Sequence, residues 1–239
     1  MKKVIILGIT DVARILRYEM EKEAGIYTES YCLTSDYIKK YGLRDSARFD
    51  DRPVVPFEHL NEIYGYGNFQ VIIMVDYSNM NSDREKLFQQ CDEYGYEIGS
   101  YISPNARIDY QGKGEFNVRL GRGNIIFEGS RISPFTELGD GNIVVGATIE
   151  HNSKVGNFNW FARNFTTAGG VKIGNNNFFG VGASIRDGII IGNYCLVGVG
   201  AGIEHNLEDC TLAQSTKVRT KVTNVSTLSF LLKNNHLFE

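Results

Sequence analysis

Between residues 143 and 203 the sequence repeats with a period of six. The register runs Ile143, Ile149, Val155, Phe161, Thr167, Ile173, Phe179, Ile185, Ile191, Val197, Ile203. Ten of these eleven positions are apolar, in a chain with 42% hydrophobic residues; counted over six possible registers, chance gives such a run in roughly 1% of trials. The next residue is small in seven of the eleven cases: Gly156, Ala162, Ala168, Gly174, Gly180, Gly192 and Gly198. A six-residue period matches neither the 3.6-residue helix nor the two-residue strand alternation. It matches a hexapeptide β-helix, in which each hexad forms one side of a triangular prism. One aliphatic residue per side fills the axis, and its small neighbour permits the corner. Upstream, Ile126, Ile132 and Leu138 continue the repeat in another register, which places a one-residue deletion near Asp140–Gly141.

The 239 residues suffice for two globular units. A net charge of −3 gives no basic face for nucleic acid or an anionic membrane surface. No apolar run approaches the roughly 18–20 residues that span a bilayer. "MKKVIILGITDVARIL" has no small-residue cleavage site and runs on into a helical pattern, so it reads as a strand and not a signal peptide. Cys32, Cys91, Cys195 and Cys210 are scattered, without a Cys-x-x-Cys pair, and suggest neither a zinc site nor a disulfide framework. The expectation is a reduced, cytoplasmic protein.

Glycine is sparse before about residue 100 and frequent from Gly112 to Gly202. This shift divides the chain into a first domain over residues 1–103, a β-helical domain over 104–221, and a tail over 222–239 expected to form a short helix. In the first domain "KKVIILG" is a continuous apolar run ending in glycine, which suits a buried parallel strand. Thr10 can cap the following helix, with Asp11 in its first turn. "IYTESYCLTS" and "FQVIIMVDY" read as further strands, and "MNSDREKLFQQCDEYGY" as an amphipathic helix with Ser82 as a cap. Together they make a small Rossmann-like α/β unit, whose ligands bind at the carboxyl ends of the strands. Those ends supply Gly8, Ile9, Thr10 and Asp11, then Ser35 and Asp36, then Val75 and Asp76. Only one glycine of Gly-x-Gly-x-x-Gly is kept, so Gly8 reads as the residue of a tight turn and not as a redox-dinucleotide signature. Asp36 serves equally as an acceptor for a ribose hydroxyl or base N–H, or as a helix cap.

Ile-Glu-His-Asn occurs twice, at Ile149–Asn152 and Ile203–Asn206. The histidines are 54 residues apart, or three coils of three hexads. At the strand spacing of about 4.8 Å they lie roughly 14 Å apart on the same side of the prism. They cannot act on one atom, and a three-histidine zinc centre of the γ-carbonic anhydrase kind is excluded. No metal is expected. His59 and His236 suggest only surface roles.

The stretch "GATIEHNSKVGNFNWFARNFTTAGGVKIGNNNFFGVGASIRDGIIIGNYCLVGVGAGI" resembles the left-handed β-helix acyltransferases of bacterial sugar modification. The sialic acid O-acetyltransferases and nucleotide-aminosugar N-acetyltransferases belong to that family. The resemblance extends to the first domain, with "RPVVPFEHL" as its connecting segment. It implies a homotrimer with acetyl-CoA along the β-helix between subunits and a nucleotide-linked amino sugar held by the first domain. A 4-amino-4,6-dideoxy type sugar for surface polysaccharide or glycan synthesis is the implied substrate. It assigns the catalytic role to His151, with Asn152 beside it, and none to His205. It further implies acetyl-CoA contacts from Gly169, Gly170, Gly180 and Val181.

The chemistry is consistent with those residue types. Acyl transfer from a thioester needs a nucleophile freed of its proton and donors for the developing oxyanion. Histidine, with an ordinary pKa of about 6.5, can take that proton at neutral pH. Backbone N–H groups near Gly169–Gly170, one coil beyond His151, are candidate donors. Three positions depart from the family pattern. Asn152 stands where relatives often carry a carboxylate, and Trp160 where they can have a second histidine. "AQSTKVRTK" replaces the family's Gly-x-Pro-Ala-Lys ending, leaving Lys217 and Arg219, with Lys221, to meet the CoA phosphates or to form a solvated basic edge. The alternatives are sugar O-acetylation and a non-catalytic nucleotide-sugar-binding trimer.

Overall fold

The computed structural model describes residues 2–43, 47–109 and 116–215. The chain opens with a six-stranded sheet and continues into a left-handed parallel β-helix. The sheet comprises β1 (Lys3–Leu7), β2 (Thr28–Leu33), β3 (Arg48–Phe49), β4 (Arg52–Pro56), β5 (Phe69–Ile73) and β6 (Glu97–Ile98), in the order β3-β4-β2-β1-β5-β6. All neighbours are parallel except β3 with β4. Helices α1 (Asp11–Lys22), α2 (Ser35–Lys40), α3 (Leu60–Tyr64) and α4 (Ser82–Glu93) complete the unit. The chain builds outward from β1 to β2 and β4 on one side and from β5 to β6 on the other, so the switch lies between β1 and β5 and opens a crevice at the carboxyl ends of these strands.

Thr10 caps α1 as its sequence context predicts, its Oγ1 accepting from the Ala13 N–H at 3.1 Å. Two local expectations fail. "RPVVPFEHL" is not a connector: Arg52–Pro56 is a strand inside the sheet, with Val54 and Val55 opposite Tyr31 and Cys32. Its prolines are tolerated because its other neighbour is the two-residue β3. Ser82 does not cap α4; it is the first helical residue, and Asn81 precedes it in a left-handed conformation.

Beyond Gly99 the chain winds into a prism whose three faces are stacks of two-residue parallel strands. The first face runs from Tyr101–Ile102 through Ile125–Ile126, Ile143–Val144, Trp160–Phe161, Phe178–Phe179 and Leu196–Val197 to Leu212–Ala213. Its strand Tyr101–Ile102 already pairs with Ile125–Ile126, ahead of residue 103. The second residue of each strand points to the axis, where Ile126, Ile132, Leu138, Val144, Ile149, Val155, Phe161 and their successors form one buried core. Phe161 and Phe179 stack within it, centroids 5.0 Å apart and 2° from coplanar.

The register differs from the sequence reading in one place. Val144, not Ile143, occupies the axis, so the upstream hexads run on unbroken through Leu138 and Val144. The missing residue lies in the next corner, between Val144 and Thr148, not at Asp140–Gly141: Ile125 pairs with Ile143 eighteen residues on, but Arg131 pairs with Thr148 seventeen on. Ile143 points outward instead, into a second core shared with the first domain.

That second core joins the domains. Ile125, Ile143, Trp160 and Ala162 pack with Ile6, Leu16, Met20 and Tyr31. Arg84 of α4, fully buried, donates from Nε to the Gly141 carbonyl at 3.0 Å and from Nη2 to that of Phe158 at 2.9 Å. One corner column is stitched by buried asparagines: Asn142 Nδ2 donates to Asn124 Oδ1, Asn159 to Asn142 and Asn177 to Asn159, at 3.2, 3.0 and 2.9 Å. Each satisfies a backbone amide that the turn leaves unpaired. Substituting Ile173 with Asp would place an unpaired carboxylate on the axis, and cooperative unfolding at a strongly lowered temperature, or insolubility, is expected. Lys172→Asp, one residue outward and exposed, is expected to melt within a few degrees of the parent.

Candidate active site

The corners between the second and third faces form a column in which His151, Gly169, Asp187 and His205 recur every eighteen residues. His151 is exposed, and its ring lies against the backbone of the coil beyond. A methyl group built on Gly169 would come 2.5 Å from His151 Cε1 and 2.9 Å from Nε2. Any side chain at 169 therefore displaces the imidazole. Asn152 has a φ of +58°, a conformation asparagine tolerates better than most residues. Its amide group meets His151 Nδ1 at 3.3 Å. As placed, Asn152 Nδ2 donates to Nδ1; a half-turn of the amide brings its oxygen there instead, whereupon Nδ1–H donates and Nε2 is left as the basic nitrogen.

The second copy of the motif folds differently. Asn206 is absent from the positive-φ positions, and its Oδ1 accepts the Ile190 N–H at 2.9 Å. Among the described residues none stands one coil beyond His205, the place that Gly169 holds for His151. Identical tetrapeptides thus give a held imidazole at 151 and a merely exposed one at 205.

Thr167, the only polar member of the axial register, is a site residue that sequence reasoning passed over. Its buried Oγ1 accepts the N–H of Glu150, the residue before His151, at 2.9 Å. Here the ladder is locally interrupted: Thr148 pairs with Thr166, but no second pair follows, whereas the coil above keeps both. Glu150 itself turns to Ser133 Oγ (3.0 Å) and Arg131 (3.4 Å), away from the imidazole. The signal was legible as the one break in an apolar register.

The Gly170 N–H donates to the His151 carbonyl at 2.8 Å and is spent in the corner ladder. The Gly169 N–H has no partner among the described residues and is the one amide of the pair free to meet a ligand. Gly180 is buried and Val181 exposed, on the corner between the first and second faces. Between that corner and the His151 column the outward positions Thr148, Thr166, Ser184 and Gly202 are all small, and the row beside the column carries Glu150, Ala168, Arg186 and Glu204. Trp160 is not near His151. It is buried under Tyr77 in the domain interface, ring centroids 5.2 Å apart. Lys217, Arg219, Lys221 and the tail at 222–239 lie outside the described residues.

The sheet crevice is a cleft of about 690 Å³. Gly8, Ile9, Thr10, Val75 and Asp76 line it, as their positions at strand ends predict. Asp11, Ser35 and Asp36 do not. Asp11 is exposed in the first turn of α1. Ser35 is tied to Glu58, which accepts from its N–H (2.9 Å) and Oγ–H (2.7 Å). Asp36 is exposed in the first turn of α2, which Thr34 caps, and Thr34, Tyr37, Lys40 and Tyr41 take the lining instead. Gly8 has a φ of +126°, and a Cβ there would fall 2.3 Å from the Met74 carbonyl oxygen, so close strand approach explains this glycine. Every lining residue lies within the first ninety of the chain. His151, at the prism edge opposite the face that carries the first domain, is not among them.

Among the described residues no group of three or more His, Cys, Asp or Glu could hold a metal ion, and no helix is long and apolar enough to cross a membrane. The four cysteines are free thiols, three of them buried.

The fold, a Rossmann-like domain docked on a left-handed β-helix, is shared with solved structures of bacterial sugar acetyltransferases. The chain is similar in fold, with a TM-score of 0.76 and 23% identity, to a histidine-to-asparagine variant of perosamine N-acetyltransferase from Caulobacter crescentus in complex with CoA and GDP-perosamine. That match covers 93% of this chain and 98% of the other. The acetyltransferase domain of PglB from Neisseria gonorrhoeae, in complex with acetyl coenzyme A, matches with a TM-score of 0.75 and 19% identity over 92% of this chain and 99% of its own. WeeI from Acinetobacter baumannii matches with 0.74 and 18% over the same shares. No family model and no curated protein sequence matches the chain.

The contact between Gly169 and the imidazole is directly testable. Gly169→Ala is expected to shift the His151 ring by about 1 Å, the distance needed to restore a normal carbon contact. A crystal structure of the variant, or a changed His151 Cε1–H resonance, checks this; an unmoved ring would contradict the geometry.

Proposed function

We propose that the protein is an acetyl-CoA-dependent N-acetyltransferase acting on a nucleotide-linked amino sugar. The observation that carries this reading is the His151 corner: an imidazole held by Gly169 and Asn152, beside a free backbone N–H, on a fold shared with a perosamine N-acetyltransferase. Acetyl-CoA, as co-substrate, supplies the thioester. The row of small residues Thr148, Thr166, Ser184 and Gly202 on the face that leads to the His151 column suits an extended acyl carrier.

In this reading the sugar amine attacks the thioester carbonyl directly. A C–N bond forms and the C–S bond breaks. His151 Nε2 takes the proton of the attacking amine and returns it to the leaving thiolate. The Gly169 N–H faces the oxygen on which negative charge develops. Asn152 fixes the tautomer without adding charge, which suits an amine better than a less nucleophilic hydroxyl and favours N- over O-acetylation.

The cleft and His151 are far apart within one chain, so we place each reaction centre between two copies. The cleft of one copy presents the sugar, and the His151 edge of the next acts on it. The copies are placed in a homotrimer, the assembly that the family resemblance implies, with Gly180 and Val181 contributing to the acyl-carrier groove. Surface polysaccharide or glycan synthesis and a cytoplasmic location fit such a substrate.

His151→Ala is expected to lower turnover by about 10²- to 10⁴-fold with little effect on acetyl-CoA binding. His205→Ala is expected to stay within about 2-fold of the parent. A panel of nucleotide-linked amino sugars incubated with acetyl-CoA and read by mass spectrometry identifies the acceptor. Equal losses from the two histidine variants, or acetylation of sialic acid in place of every amino sugar, would refute the reading.

A further inference from the structure

The axis of the prism is the last place a hydroxyl is expected. The other axial positions from Ile126 to Ile203 are apolar, and Thr167 is buried among them. Burying a hydroxyl costs free energy that an aliphatic side chain of the same shape avoids, so the stack itself gains nothing from a threonine there. A rule of the fold broken at one position, in the coil that adjoins His151, points to what that position does for the site.

Thr167 changes one rung of the ladder. In the row that holds Glu150, the residue after each axial position donates its N–H to the axial carbonyl of the coil beyond. Ser133 donates to the Ile149 carbonyl at 2.9 Å, Ala168 to that of Ile185 at 2.8 Å and Arg186 to that of Ile203 at 3.0 Å. Glu150 departs from this pattern. Its N–H goes to Thr167 Oγ1 at 2.9 Å, and the Thr167 carbonyl accepts from the Thr166 hydroxyl at 3.3 Å. Strand pairing records the same change, because Thr166 and Thr167 both pair with the coil beyond but only Thr166 pairs with the coil before.

The altered rung immediately precedes His151. The next tie to the same coil is the Gly170 N–H on the His151 carbonyl at 2.8 Å, and the Asn152 N–H ties the corner to the Pro134 carbonyl of the coil before at 3.2 Å. Two bonds therefore fix the imidazole-bearing backbone on the Gly169 side, and a side chain makes the first of them. A hydroxyl and the carbonyl it replaces reach different points in space. Exchanging one for the other moves the Glu150 nitrogen, and with it the start of the corner whose ring lies against Gly169.

We infer that Thr167 is a positioning residue for His151: its hydroxyl, by taking the Glu150 N–H in place of the backbone carbonyl, sets the corner so that the imidazole lies against Gly169. This rests on the reading of the protein as an acetyltransferase whose base is His151. Thr167 is buried inside the prism and acts through the backbone alone.

Thr167→Val keeps the shape of the side chain and removes the acceptor, whereas Thr167→Ser keeps the acceptor and removes a methyl group. In the valine variant the Glu150 N–H can take the carbonyl rung that its neighbours use, so melting within a few degrees of the parent is expected. Its kcat for acetylation of a nucleotide-linked amino sugar is expected to fall about 10- to 100-fold, with the KM for acetyl-CoA within about 2-fold. The His151 Cε1–H resonance is expected to move in the valine variant. The serine variant is expected to keep the parental resonance and a kcat within about 2-fold of the parent. Parental turnover or an unmoved resonance in Thr167→Val overturns the inference, as does a serine variant as impaired as the valine one. A strongly lowered melting temperature of Thr167→Val also overturns it, because the hydroxyl would then hold the stack and not the corner. A parent that acetylates none of the amino sugars overturns the acetyltransferase reading, and the resonances of the two variants then decide the positioning of the ring by themselves.

Discussion

Everything else in this chain depends on coils stacking in register. A strand of two residues has no independent stability; it is held only by the backbone ladder to the coils below and above and by the axial side chain it contributes. The aliphatic column supplies the apolar burial, and the Asn124–Asn142–Asn159–Asn177 column satisfies the corner amides that a tight turn would otherwise leave buried and unpaired. With the stack fixed, a residue one coil away becomes a precise neighbour. That is how Gly169, eighteen residues on, sets the position of the His151 ring, and how Thr167, inside the prism, takes the amide before it.

The β-helix was legible because its physics is periodic. An axial position on each side needs an apolar side chain whatever the coil's partners are, and from Ile126 to Ile203 the sequence obeys this everywhere but at Thr167. What periodicity does not encode is where a corner is short. Ile143 and Val144 are both apolar and both buried, one outward against the first domain and one on the axis, so residue type alone did not separate them. The same limit explains Trp160. Its neighbour Phe161 fixes the strand, but only the docking of the first domain shows that the indole lies under Tyr77 and not beside His151. In the first domain, β1 and α1 followed from continuous apolar residues and a threonine cap. Arg52–Pro56 was missed because proline argues against a strand unless the strand's weak side is known.

The candidate site was legible in part for the same reasons. Strand ends point to Gly8, Ile9, Thr10, Val75 and Asp76, and the cleft contains them. The direction of Asp36, by contrast, depends on which residue caps α2, and Thr34 does so. The duplicated Ile-Glu-His-Asn shows how far local sequence reaches. The two copies differ in the φ of their asparagines and in what those asparagines bond, and neither property lies in the tetrapeptide.

The first domain docks on one face of the prism and His151 occupies the opposite edge, so the account's central claim is that two copies of the chain compose one reaction centre. Complementation tests this most directly. His151→Ala removes the proposed base, and Ser78→Trp fills the cleft from an exposed position on its lining. Each variant alone is expected to be inactive. When the two are coexpressed and mixed oligomers are purified, some interfaces pair an intact cleft with an intact His151, and turnover is expected to return. Mixed oligomers that form but show no recovered activity would contradict the claim.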